Sequence, residues 1–132
     1  MCRTTVAAVA ALAFGAWAAA AQDAGMADMD DFALRTGQDL ADLCAVQEGD
    51  PLYADAKMFC YGVIEGMIQY HDAVGRGPDG DFIVCPEGAV TRSDTVNIFV
   101  EWARANPQKA ANEWPAEAVV EAALAAWGPC SQ

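Results

Sequence analysis

The chain carries one histidine followed by an acid, His71-Asp72, together with five cysteines. A cysteine thiolate attacking with His71 as base and Asp72 as its orienter is the first chemistry to test. Such a nucleophile must be free and activated, and the cysteine count argues against one. Cys2 lies in an N-terminal stretch that reads as a leader. Cys44, Cys60, Cys85 and Cys130 remain, an even set that in an exported chain reads as two disulfides. Zinc is the competing use of four cysteines. No Cys-x-x-Cys pair is present, and His71 stands near none of the four in sequence, so metal-ligand spacing is lacking. Other catalytic patterns fail in the same way. Ser93 and Ser131 have no strained elbow to expose a nucleophile. Asp28, Asp30 and Asp31 cluster like a calcium loop but lack its glycine and distal Glu, and acids of this kind favour a helix start. Gly75, Gly77 and Gly80 precede no Lys-Ser/Thr pair and follow no strand, so a phosphate loop is unsupported. No catalytic residue, metal or cofactor is expected.

The elements that position these residues begin after the leader. Arg3 supplies a positive start, Val6 to Ala21 is an unbroken run of apolar and small residues, and Ala19-Ala20-Ala21 offers a small-x-small cleavage pattern. That run is short for a membrane span, which needs about 20 apolar residues. A signal peptide over 1–21 is therefore expected, with export to the periplasm and no membrane span after cleavage. The whole chain has 132 residues, 7 basic against 19 acidic, and a net charge of −12. Losing Arg3 with the leader makes that charge more negative still. Nucleic acid and anionic membrane surfaces are excluded as partners, because both are bound through clustered Lys and Arg. The length admits one domain. Residues 22–31 read as a flexible acidic lead-in and 32–130 as a single helical domain.

Within that domain a first helix is expected from Asp30, with Phe32, Thr36, Leu40, Leu43 and Cys44 at three- and four-residue steps. Gly49 stops it, and Asp50-Pro51 opens the next. Ala56, Cys60, Val63, Met67, Tyr70 and Val74 then form the apolar stripe of a long helix packed between two others. Gly62 and Gly66, four residues apart on it, suggest a closely approaching neighbour. A loop over 75–81 leads to a short extended piece, Phe82-Ile83-Val84. Thr91 and Asp94 resemble a capping box opening a third helix with Val96, Phe99, Val100 and Ala103 inward. Asn106-Pro107 interrupts, a short helix follows, and Val119, Val120, Ala123, Leu124 and Trp127 carry the last helix to Gly128-Pro129-Cys130. The fold class is all-α, a small bundle of four to five helices stapled by two disulfides. Four cysteines allow three connectivities. Cys44 and Cys60 flank a tight turn and meet in an antiparallel hairpin, while Cys85–Cys130 would clamp the second half.

In order along the chain stand Gly37-Gln38-Asp39-Leu40 with Cys44, Cys60-Tyr61-Gly62-Val63-Ile64-Glu65-Gly66, and Cys85-Pro86-Glu87-Gly88-Ala89-Val90-Thr91. Trp102 with Asn106-Pro107, and Ala123-Leu124 to Trp127-Gly128-Pro129-Cys130, complete the set. This series, covering roughly Thr36 to Cys130, resembles the Rap/Tai immunity proteins, which guard Gram-negative bacteria against type VI secretion amidase effectors. The resemblance implies a periplasmic, disulfide-bonded helical protein, often a homodimer, that binds a peptidoglycan-cleaving amidase and plugs its groove. It supplies no contact residue, because the partner-facing surface of that family varies.

The function expected is thus an acidic inhibitor rather than an enzyme, its charge steering encounter with a basic cell-wall amidase. The alternative is an acid-stress periplasmic chaperone or a general envelope binding protein. Partner contacts are sought on loops held by a rigid frame. The segment from Gly75 to Phe82 meets that description, with Asp79, Asp81 and Phe82 as the expected partner-binding residues. The competing role is a solvated connector with Phe82 tucked into the core.

Overall fold

The computed structural model describes residues 26–78 and 80–131. The expected leader with Cys2, the first part of the lead-in, and Asp79 lie outside the described residues. Among the described residues a 3-10 turn at Asp31–Ala33 precedes five helices: α1 (Gly37–Ala45), α2 (Tyr53–Gly75), α3 (Arg92–Ala105), α4 (Pro107–Ala110) and α5 (Pro115–Trp127). No strand forms among the described residues; Val84 and Pro129 make a single isolated antiparallel bridge. The molecule is all-α, as its apolar periodicity predicts. No helix among the described residues is long and apolar enough to cross a membrane.

The first helix starts later than its stripe suggests. Leu34 adopts a left-handed conformation (φ 48°), which breaks the path from the 3-10 turn into α1. Thr36 then caps α1 in a reciprocal box. Its hydroxyl accepts from the Asp39 N–H, and Asp39 Oδ2 accepts from the Thr36 and Arg35 N–H groups. A left-handed residue followed by a satisfied cap outweighs the continuity of the pattern. Residues 26–31 carry structure of their own: Ala27 is buried beside Leu43, Val46 and Ala56, and Asp28 Oδ1 accepts from the Asp30 and Asp31 N–H groups.

On α2 the buried line is Ala56, Cys60 and Ile64, with Val63, Met67 and Ile68 packed at its edge. Tyr70 and Val74, expected inward, are exposed. The glycine reading is corrected as well: a Cβ at Gly62 or Gly66 meets nothing within 4 Å. The close approach lies at Gly37 instead, where a Cβ would sit 2.5 Å from the Ala118 Cβ. The Gly37 N–H donates to the Glu113 carbonyl there, tying α1 to the α4–α5 junction.

Thr91 caps α3 as expected, its box closed by Asp94. Phe99 is fully buried, in one cluster with Leu40 of α1, Ile64 of α2 and Val119 of α5. Val96, Val100 and alanines 41, 103, 110, 118 and 122 are buried in the same cluster. Of the expected core residues, Phe32 packs edge-on against Phe59 in a second cluster. Leu124 is only half-buried. Cys44 is bonded to Cys60, with Cα atoms 5.2 Å apart, joining α1 to α2. Lys57 Nζ reinforces that junction by donating to the Cys44 carbonyl at the end of α1. Cys85 is bonded to Cys130, with Cα atoms 4.8 Å apart. This second bridge ties the α2–α3 connector to the chain beyond α5.

Candidate functional site: an apolar cavity under the α2–α3 connector

The connector between α2 and α3 is pinned where it leaves α2 and again midway. At its start the Arg76 N–H donates to the Asp72 carbonyl and the Gly77 N–H to that of Val74, closing α2. Midway the Cys130 N–H donates to the Ile83 carbonyl, and the Cys85 N–H to the Gly128 carbonyl. Between these anchors the chain folds tightly back onto α2. A Cβ at Gly80 would lie 1.7 Å from the Val74 carbonyl oxygen, so only glycine fits there.

His71 occupies the middle of this arrangement. Its Nε2 lies 3.2 Å from the Ile83 backbone N and 3.3 Å from that of Val84, accepting from both N–H groups. An imidazole that accepts at Nε2 is neutral and carries its proton on Nδ1. The Phe82 ring lies against the imidazole with centroids 5.3 Å apart. On its other side Phe82 presses on Gly75, where a Cβ would fall 2.4 Å from the ring.

Beneath the connector lies a cavity of about 530 Å³. Met67 and Ile68 of α2 line one wall, and Val119, Val120, Ala123 and Trp127 of α5 the other. Phe82, Val84 and Val90 of the connector close a third side, with Thr95 of α3 at the base. The polar groups at its edge are His71, Asp72 and Arg76, the last two joined at 3.1 Å by an exposed ion pair. A pocket mostly apolar, with few polar groups at one edge, is suited to an apolar group.

The expected catalytic grouping is not assembled. Asp72 pairs with Arg76 rather than orienting His71, and the His71 acceptor is used by the backbone. All four described cysteines are in disulfides. Ser93 is exposed in the first turn of α3, and Ser131 is exposed near the C-terminus. Asp28, Asp30 and Asp31 are exposed or half-buried around the first turn, and no group of acids, cysteines and histidine among the described residues could hold a metal.

Of the expected partner-binding residues, Asp81 is exposed, whereas Phe82 is half-buried and turned inward onto His71 and Gly75. The apolar side chain the connector offers to solvent is Ile83, 54% exposed. The sequence leaves two roles open for this aromatic, an exposed anchor or a side chain tucked into the core, and the inward one is found. The alternation in Phe82-Ile83-Val84 holds the signal for the inverse arrangement, since Val84 is buried and its neighbour turns out. Glu87 and Asp94 add further exposed acids nearby. The Asp94 carboxyl is held below its ordinary pKa by the Thr91 hydroxyl, then by the Thr91 N–H.

A separate acidic group, Asp28, Asp31, Asp39 and Asp42, lies along α1 and the turn before it. Burial foremost pushes Asp42 up to about 6. The charges of Asp31, Asp39 and Asp28 add to the shift, and a hydrogen bond from Gln38 opposes it.

No curated protein and no solved structure matches the chain. Residues 36–130 match the family described as Rap1a immunity proteins. The matched span opens at Thr36, the cap of α1, and closes at Cys130. It takes in all five helices, both disulfides and the connector over the cavity. Covering most of the chain, that match identifies a member of an immunity-protein rather than an enzyme family: the chain belongs to the Rap1a immunity proteins.

Proposed function

We propose that this protein acts in the periplasm, where it binds a secreted peptidoglycan amidase effector and blocks it. Membership in an immunity-protein family carries this reading. The amidase and the compartment follow from the sequence resemblance and from the leader over 1–21. The acid excess suits a basic cell-wall enzyme as partner, since opposite charge speeds encounter.

The connector is the docking surface in this account. Asp79 and Asp81 supply its acidic contacts, Ile83 its exposed apolar contact, and Phe82 seats the loop from within. A surface anchored by a disulfide at one end and a helix at the other binds with little ordering cost. Residues 22–31 lead from the cleaved leader into the domain over 32–130. Two copies pair across the exposed face of α2, where Met58 and Tyr70 stand 73% exposed on either side of the open Gly62 and Gly66.

The test uses the oxidised protein and the purified amidase. Titration should give a stable complex, suppress peptidoglycan cleavage, and associate more slowly as salt rises. A protein that neither binds such an amidase nor protects cells producing it in the periplasm would overturn the proposal.

A further inference from the structure

We propose that His71 is an acid-sensitive latch that positions the α2–α3 connector. The observation is the double acceptor. One nitrogen, Nε2, takes the N–H groups of both Ile83 and Val84, across a gap of 12 to 13 residues in sequence. A neutral imidazole can do this; a protonated one has no acceptor at either nitrogen and turns an N–H toward two N–H donors. Closing the latch and binding a proton are therefore mutually exclusive.

The surroundings leave this contact to His71 alone. Phe82 packs on the ring but offers the two amides no polar group. On α2, Asp72 and Arg76 flank the imidazole and are paired with each other. On the connector, Asp81 and Glu87 are exposed. The parts of α3 and α5 that line the cavity contribute Thr95 and apolar side chains, none of them titratable near neutral pH. The Cys85–Cys130 bridge and the Cys130 N–H to Ile83 carbonyl bond stay in place on protonation. What acid releases is the segment from Gly80 to Phe82, with Phe82 lifting from Gly75 and from the cavity it lines.

The effect on partner binding rests on the connector being the docking surface; the latch itself does not. The experiment measures hydrogen exchange of the Ile83 and Val84 amides in the oxidised protein, relative to an unstructured chain at each pH. It compares about pH 7.5 with about pH 5, the interval over which histidine changes charge. Wild-type protection at both amides should fall about tenfold at the lower pH, while Ile64 and Phe99 stay protected. His71→Gln, which keeps an uncharged acceptor near the Nε2 position, should hold protection at both pH values. His71→Ala should lack it at both. Wild-type amides that stay protected at the lower pH, or a His71→Gln protein that loses protection in parallel, would overturn the latch. Amidase affinity measured across the same step separates the two readings. A loss in wild type but not in His71→Gln supports both. Amides that open with affinity unchanged keep the latch and remove the connector as docking surface.

Discussion

At the scale of single residues, space decides what a glycine does. Gly37 has the Ala118 Cβ 2.5 Å from where its own would stand, and the Ala110 carbonyl oxygen at 3.2 Å. Gly37→Ala should therefore destabilise the protein by about 1–3 kcal/mol through overpacking. Gly62→Ala, on the open face of α2, should stabilise the monomer by about 0.5–1 kcal/mol through helix propensity. Denaturant unfolding of the two variants at low protein concentration checks both signs. Asp42 offers a prediction in pH. Its carboxyl is raised from 3.8 to about 6, so the folded state binds its proton more tightly than the unfolded state does. The associated stabilisation is complete below pH 3.8 and is lost as pH rises through about 6. Above that, a charged Asp42 sits half-buried among Asp28, Asp31 and Asp39 at a net cost. Asp42→Asn keeps an acceptor for Gln38 and should raise stability by about 1 kcal/mol at pH 7.5, after allowance for solvent screening. Near pH 4 the gain should vanish. Thermal unfolding of both proteins at the two pH values decides it. That burial would push the Asp42 carboxyl up is not legible in sequence, because burial depends on which face α1 turns inward.

At the scale of elements, a signal carried by a few adjacent residues is legible where no overlapping pattern masks it, and one that depends on packing neighbours is not. Thr91 and Asp94 stand three residues apart before an apolar run, and they cap α3 wherever that helix packs. Asn106 ends the same helix, its side-chain amide donating to the Trp102 carbonyl, and Pro107 then opens α4. The cysteine spacing across a tight turn likewise suffices to suggest the α1–α2 staple. The equivalent box at Thr36 and Asp39 escaped notice because Phe32 extends the apolar stripe backward, although its ring belongs to the second cluster with Phe59. The cavity was illegible in sequence, since its walls come from α2, the connector, α3 and α5. The same dependence gives the Cys85–Cys130 bridge a definite role. Replacing both cysteines by serine should cost about 2–4 kcal/mol. Exchange at Ile83 and Val84 should rise while the α1–α2 hairpin, held by Cys44–Cys60, keeps its protection. Uniform loss of protection across all helices would instead make the second bridge a global clamp.

At the scale of the whole molecule, a chain of net charge −12 folds around a small, alanine-rich core. Such a charge steers a basic partner without fixing where it lands. In the proposed complex the landing site is a rigid feature that combines charge with exposed apolar area: the connector with Asp81 and Ile83, anchored by His71 and Cys85–Cys130. The most direct test is calorimetric affinity of the oxidised protein for the amidase, wild type against an Asp81→Lys, Ile83→Asp double variant. Both side chains point to solvent, so the thermal midpoint should stay within a few degrees of wild type. The account predicts an affinity loss of about 100-fold or more, consistent with removing one charge contact and one apolar anchor from an interface centre. A folded double variant that binds and inhibits the amidase as tightly as wild type would contradict it.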